Sequence, residues 1–400
     1  MTAQAQEAWT LDRVMREALT NHPLMQEKRA AQAAAKADLD GAKWQRYPTP
    51  SFEANTANHG GGTLRIDQPL WTGGRITANL DMAQAKLDVA DALVRETGLD
   101  VANKVIAAVV EAVRQAQRRQ YAEAGVHEHE KLLDMIQRRV TQEVSSNADQ
   151  RLAASRLYGS RNDLSLSVQA WNNALVQVGQ LVGQSVGSLS DVGLNPNGLK
   201  MPSGVAEALS EALSRSARLR RLEHEERMAE AEIDTKRAAW WPQLVYRFER
   251  ARAAQTMDSR SMLVLQAQPG AGLSASSGVD AALARRDAAR QMRQMAERDI
   301  NEQVAQLWND WRASSERVLN ATEARSMSAD VAASYARQYT AGRKSWLDVL
   351  NAVRESTQSE LAVVDAQAQS MLAAWKLRAL MGALSTDDGE AAQQAQEKTK

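Results

Sequence analysis

Apolar residues recur at intervals of seven along two long stretches of the chain that contain no proline. No proline occurs between Pro69 and Pro196, or after Pro269, and both stretches are rich in Ala, Gln, Arg, Glu, Leu and Val. Proline inside a helix costs about 3 kcal/mol, so stretches of this composition are predicted to be helical. A helix from near Arg75 to near Val144 would span roughly 100 Å at about 1.5 Å per residue, which is too long for a compact globule.

The seven-residue spacing indicates that these helices pack along their length. The repeated positions are Leu80, Leu87, Val94 and Val101 with Ala83 and Ala90 beside them, and later Val364 with Met371 and Leu361 with Ala368 and Trp375. An apolar seam of this period is typical of coiled-coil packing, and alanine lets neighbouring helices approach closely. Taken alone, the helices also fit a cytosolic coiled-coil scaffold.

Short segments of alternating polarity interrupt the helices. Residues 51–56 alternate in strand fashion, and a glycine turn predicted at 60–62 leads into residues 63–69. The same plan returns at 244–249 and 261–268. A tilted strand needs about 9–11 residues to cross a membrane, and the length of each segment is close to that. We therefore predict two membrane hairpins.

Tryptophans flank both predicted hairpins. They are Trp44, Trp71, Trp240 and Trp241. Aromatic residues at strand ends are typical of the membrane–water interface, and we predict that role for these four.

The two halves of the chain correspond with an offset near 200 residues. Residues 38–48 match 232–242, Gln68-Pro69 matches Gln268-Pro269, and Asp149 matches Asp348. We therefore predict a mainly α fold with a small β part, built from a duplicated helix–hairpin–helix repeat. The first repeat covers 1–195 with strands near 49–70, the second covers 196–384 with strands near 243–269, and a disordered tail covers 385–400.

Four strands are too few to close a membrane barrel. The smallest such barrels need about eight strands, and open edges are not tolerated in lipid. The chain is therefore predicted to oligomerise, and three copies would supply twelve strands, although the strand count alone does not select three.

Composition limits the possible binding partners and cellular location of the protein. Lys+Arg and Asp+Glu both number 49, so the net charge of zero argues against nucleic-acid binding. The absence of cysteine suits a periplasmic or outer-membrane protein. No run of about 18 apolar residues occurs, and the N-terminus lacks the features of a signal peptide. The chain is therefore predicted to be either cytosolic or a mature form that has lost its leader, and we favour the mature form.

Two motifs resemble the TolC family of outer-membrane channels. They are Gln68-Pro69-Leu70-Trp71-Thr72-Gly73-Gly74-Arg75 and the longer stretch at 339–352, which begins Tyr339-Thr340-Ala341-Gly342. The resemblance runs from Trp9 to about Met381. It implies a homotrimer in which a twelve-stranded outer-membrane β-barrel joins a long α-helical barrel in the periplasm, and it implies a passive channel without enzymatic activity or cofactor.

The resemblance also implies partners. These are a periplasmic membrane-fusion adaptor, an inner-membrane ABC transporter, outer-membrane lipid and an exported protein substrate. The stretch at 339–352 is similar to components of type I systems that export adhesins. The alternative within the family is drug or metal efflux with a proton-driven pump.

Five gate residues follow from the resemblance. Asp149 is expected to face Tyr339 and Lys344, and Asp348 is expected to line the constriction beside Asn351, where the family prototype has a second aspartate. Charge-assisted bonds of this kind contribute roughly 1.5–3 kcal/mol each, enough for a latch that adaptor contacts can outweigh. The alternative is that Asp149 and Asp348 only cap their helices.

The helix reversals at 142–147 and 341–346 are predicted to be adaptor-docking tips. Their docking residues are Val144, Ser145, Ser146, Gly342, Arg343 and Ser345. No metal site is predicted, because His127 and His129 lie two apart on a helix and point in different directions. The loop at 193–204 is expected to join the two repeats.

Overall fold

The structure is a computed structural model that describes residues 9–55, 61–189, 201–253, 256–267 and 274–382. The polar tail, the Gln268-Pro269 pair and most of the loop that joins the repeats lie outside the described residues.

Eight helices and four strands occur in the described residues, in an order that is the same in both halves. The first half contains α1 (Leu11–Asn21), α2 (Pro23–Trp44), β1 (Thr49–Asn55), β2 (Gly61–Trp71), α3 (Arg75–Thr141) and α4 (Asn147–Val182). The second contains α5 (Val205–Arg215), α6 (Ala217–Ala238), β3 (Gln243–Ala253), β4 (Thr256–Gln266), α7 (Ala275–Thr340) and α8 (Trp346–Leu380). The mainly helical fold with a small sheet is confirmed, whereas the boundary between repeats at 195 remains a prediction.

The proline-free stretches form the two longest helices. α3 has 67 residues and α7 has 66. Each is followed by a five-residue turn before the next helix, which agrees with the predicted reversals. Gly342 adopts a φ of 74° in the second turn, a conformation that favours glycine, and Glu143 adopts 59° in the first.

Contacts divide the chain into two compact units, each built from both halves. The first unit comprises Met1–Pro23, Gly98–Arg215 and Asn301–Lys400. Its core includes the predicted seam positions Val101, Val364, Ala368 and Met371, all buried.

Side-chain contacts in the first unit place four helices side by side. Arg161 on α4 donates to Glu130 on α3 at 2.9 Å, and Arg118 on α3 donates to Asp365 on α8 at 2.7 Å. The hydroxyls of Ser315 on α7 and Ser370 on α8 are 3.2 Å apart. These contacts join α4 to α3, α3 to α8, and α8 to α7, and near the turns α3 also contacts α7.

The second unit comprises Leu24–Thr97 and Ser216–Ile300 and contains the sheet. All neighbouring strands are antiparallel, in the order β1-β2-β3-β4. Gly61 and Gly62 pair with Asn55 and Ala54, so the turn predicted at 60–62 is wrong for these two residues, whose backbone groups belong to the ladder. β4 begins five residues before the predicted 261.

Candidate functional site

One face of the sheet carries ion pairs that cross the strands. Glu249 accepts hydrogen bonds from Arg65 Nε at 2.9 Å and from Arg260 Nη2 at 2.7 Å. Arg247 donates to both carboxylate oxygens of Asp67, at 2.8 and 2.9 Å. The register places Arg65 opposite Glu249 and Asp67 opposite Arg247, so this face is polar.

The opposite face carries large apolar side chains that are exposed in the isolated chain. They include Phe52 (73% exposed), Tyr246 (42%), Leu263 (65%) and Leu265 (67%). Single exposed apolar residues are common on proteins, but several large ones on one sheet face indicate a surface that something apolar covers, although Arg250 also lies on this face. The alternation predicted from the sequence is therefore present in β1, β2 and β3, whereas β4 carries the apolar Met262 and Val264 on the other face.

The four predicted interface tryptophans are exposed: Trp71 ends β2, Trp44 ends α2, and Trp240 and Trp241 lie between α6 and β3. Trp44 is 69% exposed and Trp241 is 58% exposed, and the Trp71 and Trp241 rings meet edge to face with centroids 6.4 Å apart. These positions suit residues at a membrane–water interface, and that role remains a prediction.

Asp149 and Asp348 each close a capping box at the start of their helices. The Asp149 N–H donates to Ser146 Oγ at 3.1 Å, and its carboxylate accepts from the Ser146 N–H at 3.2 Å. Asp348 makes the equivalent bonds with Ser345, at 3.2 and 3.1 Å. This reciprocal arrangement satisfies two backbone donors that a helix start otherwise leaves unpaired.

The expected contact of Asp149 with Tyr339 and Lys344 is not present within one chain. The Asp149 carboxylate is engaged by Ser146, while the Tyr339 hydroxyl lies 3.4 Å from Ser145 Oγ. The Lys344 ammonium lies 4.2 Å from the centroid of the Tyr335 ring. Within one chain the Asp149 carboxylate is bound to Ser146 in the helix cap. A gate contact of Asp149 with a neighbouring copy remains a prediction.

Around Tyr339 the structure brings together residues that the sequence did not single out. The ring is 6% exposed and packs 5.5 Å from the Trp346 ring, in a cluster with Ile136 and Val349. The Arg139 guanidinium lies 4.8 Å from the Tyr339 ring centroid. No sequence motif marks Arg139, because its contact partner is 200 residues away.

The predicted docking residues lie on the two turns and are mostly exposed. Exposed residues are Val144, Ser146, Gly342, Arg343 and Ser345, and Ser145 and Lys344 are half-buried. Asn351 is exposed one turn into α8. Gate and docking roles for these residues remain predictions.

Comparison with known sequences identifies the chain. The family model for outer membrane efflux proteins matches residues 14–184 and 208–383. The chain belongs to this family. No curated protein shows a significant match over its sequence. The resemblance to TolC-type channels is thereby confirmed, and the coiled-coil scaffold is set aside.

Several solved structures share the fold of this outer membrane efflux protein. A membrane protein from Pseudomonas aeruginosa is 16% identical, with a TM-score of 0.81 over 93% of this chain and 90% of its own. The outer membrane protein VceC from Vibrio cholerae is 15% identical, with a TM-score of 0.80 over 93% and 96%. The CmeC outer membrane channel from Campylobacter jejuni is 13% identical, with a TM-score of 0.80 over 96% and 88%.

Outer membrane efflux proteins are passive channels, so this chain is a channel protein and not an enzyme. Among the residues that the structure describes, no helix is long and apolar enough to cross a membrane.

The cap at the start of α8 is expected to weaken in acid. The pKa of Asp348 is held below the usual aspartate value of 3.8 by hydrogen bonds from the Ser345 side chain and backbone, with Lys344 adding to the effect. A carboxyl whose pKa is lower in the folded state stabilises the fold above its unfolded pKa, and the stabilisation is lost as pH falls through the folded pKa. We expect amide exchange at 345–349, corrected for intrinsic rates, to accelerate below about pH 4.

Asp348→Asn is the control for that expectation, because it removes the titrating group. Its exchange at 345–349 should be faster than that of the unmodified chain at neutral pH and should not accelerate further in acid. A flat profile for the unmodified chain down to pH 3 would contradict the assignment.

Proposed function

We propose that this chain forms the outer-membrane exit duct of a tripartite export system, as a homotrimer whose sheets close a twelve-stranded β-barrel and whose long helices form a periplasmic tunnel. Transport through such a duct is passive, and the energy comes from an inner-membrane pump reached through a periplasmic adaptor.

The sheet with two free edges carries this proposal. β1 and β4 each have one neighbour within the described residues, so each presents a row of backbone N–H and C=O groups at its outer side. Lipid offers no hydrogen-bond partner for such groups, and therefore β4 of one copy must pair with β1 of the next. Repeating this head-to-tail contact closes a ring, and three copies give twelve strands.

The helices of the first unit support the same head-to-tail assembly. We take α4 and α7 to be the helices that face neighbouring copies, because both carry large exposed apolar residues. These are Tyr158, Leu166 and Val176 on α4, and Leu319, Met327 and Val331 on α7. Contact between α7 of one copy and α4 of the next would bury them.

The exported substrate is proposed to be a large protein such as an adhesin, moved by an ABC transporter in a type I system. This proposal rests on the similarity of residues 339–352 to components of those systems. A second candidate is efflux of drugs or metals with a proton-driven pump, which the family description as efflux proteins favours.

Two measurements test the channel itself. Chemical cross-linking of the detergent-purified protein should give a trimer as its largest product, and planar bilayers should record discrete conductance steps. A monodisperse monomer that stays soluble without detergent and never inserts would contradict the proposal.

Expression of the chain in cells that lack their own outer-membrane duct distinguishes the two proposed classes of substrate. If the chain restores display of a co-expressed adhesin with its ABC transporter, type I secretion is supported. If it restores only resistance to drugs or metals, the efflux candidate is correct.

A further inference from the structure

Arg139, near the end of α3, contacts both parts of the turn region. Its guanidinium lies over the Tyr339 ring at the end of α7, and its Nε lies 3.4 Å from Ser145 Oγ. Its backbone carbonyl accepts the N–H groups of Val144 at 2.9 Å and Ser145 at 3.3 Å. One residue therefore joins the turn between α3 and α4 to the end of α7.

The contact with Tyr339 is mainly one of cation and ring. The guanidinium is 4.8 Å from the ring centroid, within the roughly 6 Å over which a cation is attracted to an aromatic face. The tyrosine hydroxyl is 3.4 Å from Ser145 Oγ, at the long limit for an O–H···O bond. The ring rather than the hydroxyl is therefore the stronger attachment point.

The positive charge of Arg139 interacts with the Tyr339 ring, and with no carboxylate in the described part of the chain. No carboxylate among the described residues pairs with it, whereas the adjacent Arg138 is exposed and pairs with Asp134. Arg139 is half-buried, and partial exclusion of water strengthens its attraction to the ring.

We propose that Arg139 is a positioning residue of the channel gate. Its guanidinium holds the α3–α4 turn against Tyr339, so the two helical hairpins of one protomer separate only when this cation–ring contact breaks. The inference rests on the proposed channel function and deepens it, because it assigns the closed state to Arg139 and the Tyr339 ring instead of to a bond between Asp149 and the Tyr339 hydroxyl.

Single-channel recordings of four variants distinguish the two latches. Arg139→Gln replaces the cation by a shorter, neutral polar side chain, and Tyr339→Leu removes the ring. Both should raise the open-to-closed ratio about tenfold, which corresponds to about 1.4 kcal/mol. Tyr339→Phe keeps the ring and loses only the hydroxyl, so it should stay within about twofold of the unmodified channel. Arg138→Gln is the matched control and should also stay within about twofold.

Arg139→Lys and amide exchange separate positioning from loss of structure. Lysine keeps the cation, so Arg139→Lys should remain closed more often than Arg139→Gln. A purely steric role for arginine would not predict this difference. Exchange at 142–147 should be faster in Arg139→Gln than in Arg138→Gln, and this readout does not require a conducting pore.

Each result decides a different claim. Equal gating of Arg139→Gln and Arg138→Gln would overturn the inference, and so would opening of Tyr339→Phe to the level of Tyr339→Leu. An unmodified protein that forms no pore would contradict the proposed channel function. In that case, faster exchange in Arg139→Gln would still support the contact, and unchanged exchange would overturn it.

Discussion

Leu263→Arg is expected to prevent the chain from assembling in the outer membrane. Leu263 is 65% exposed on the apolar face of the sheet and pairs with Tyr246 on the neighbouring strand. In the proposed barrel the new arginine would face lipid, where it costs about 2–4 kcal/mol near the bilayer midplane, and the proposed trimer would meet that cost three times. The measurement is the fraction of protein recovered as a trimer after insertion into lipid vesicles.

Val264→Arg supplies the matched control, one residue along the same strand. Val264 pairs with Val245 and faces the side of the sheet that carries Arg247 and Asp67. On that side the new arginine would meet water inside the proposed barrel, so assembly should continue. Equal assembly of both variants would contradict the membrane position of the apolar face, and failure of Val264→Arg alone would reverse the assignment of the two faces.

The long helices could be predicted from the sequence because one signal decides them. α3 and α7 run through the proline-free stretches, and no competing pattern occurs there. The strands were predicted from alternation, which is clear at 244–249. It fails at the start of β4, where Thr256, Asp258 and Arg260 are polar but Met257 and Ser259 do not form an apolar row. Strand pairing with β3 extends β4 through those residues.

The turn region shows why contacts are harder to predict than positions. The resemblance to the TolC family assigns Asp149 and Asp348 to a gate, with helix capping as the alternative, and the structure shows both residues in capping boxes. The sequence could not distinguish Arg139 from Arg138, because both are arginines at the end of the same helix. Only the packing of α7 against α3 determines which of the two side chains meets Tyr339.

Gly73→Ala is expected to destabilise the second unit strongly. Gly73 has a φ of 59°, in the left-handed region that costs other residues about 1–2 kcal/mol. An added Cβ would also overlap the Cβ of Trp241 and lie 3.2 Å from its Cγ. Overpacking of this kind costs about 1–3 kcal/mol, so the total loss should be about 2–5 kcal/mol. Urea unfolding of the detergent-solubilised protein measures it.

Gly74→Ala separates the two contributions. Gly74 has a φ of 87°, but an added Cβ would meet nothing within 4 Å, so this variant should lose only about 1–2 kcal/mol. Combining Gly73→Ala with Trp241→Gly should recover part of the extra loss, because the two changes act on one contact and are not additive. If Gly73→Ala and Gly74→Ala were equally destabilised, backbone conformation alone would explain the glycine pair. A larger loss in Gly73→Ala, relieved in the double variant, would show that Gly73 is required because the turn after β2 packs closely against Trp241.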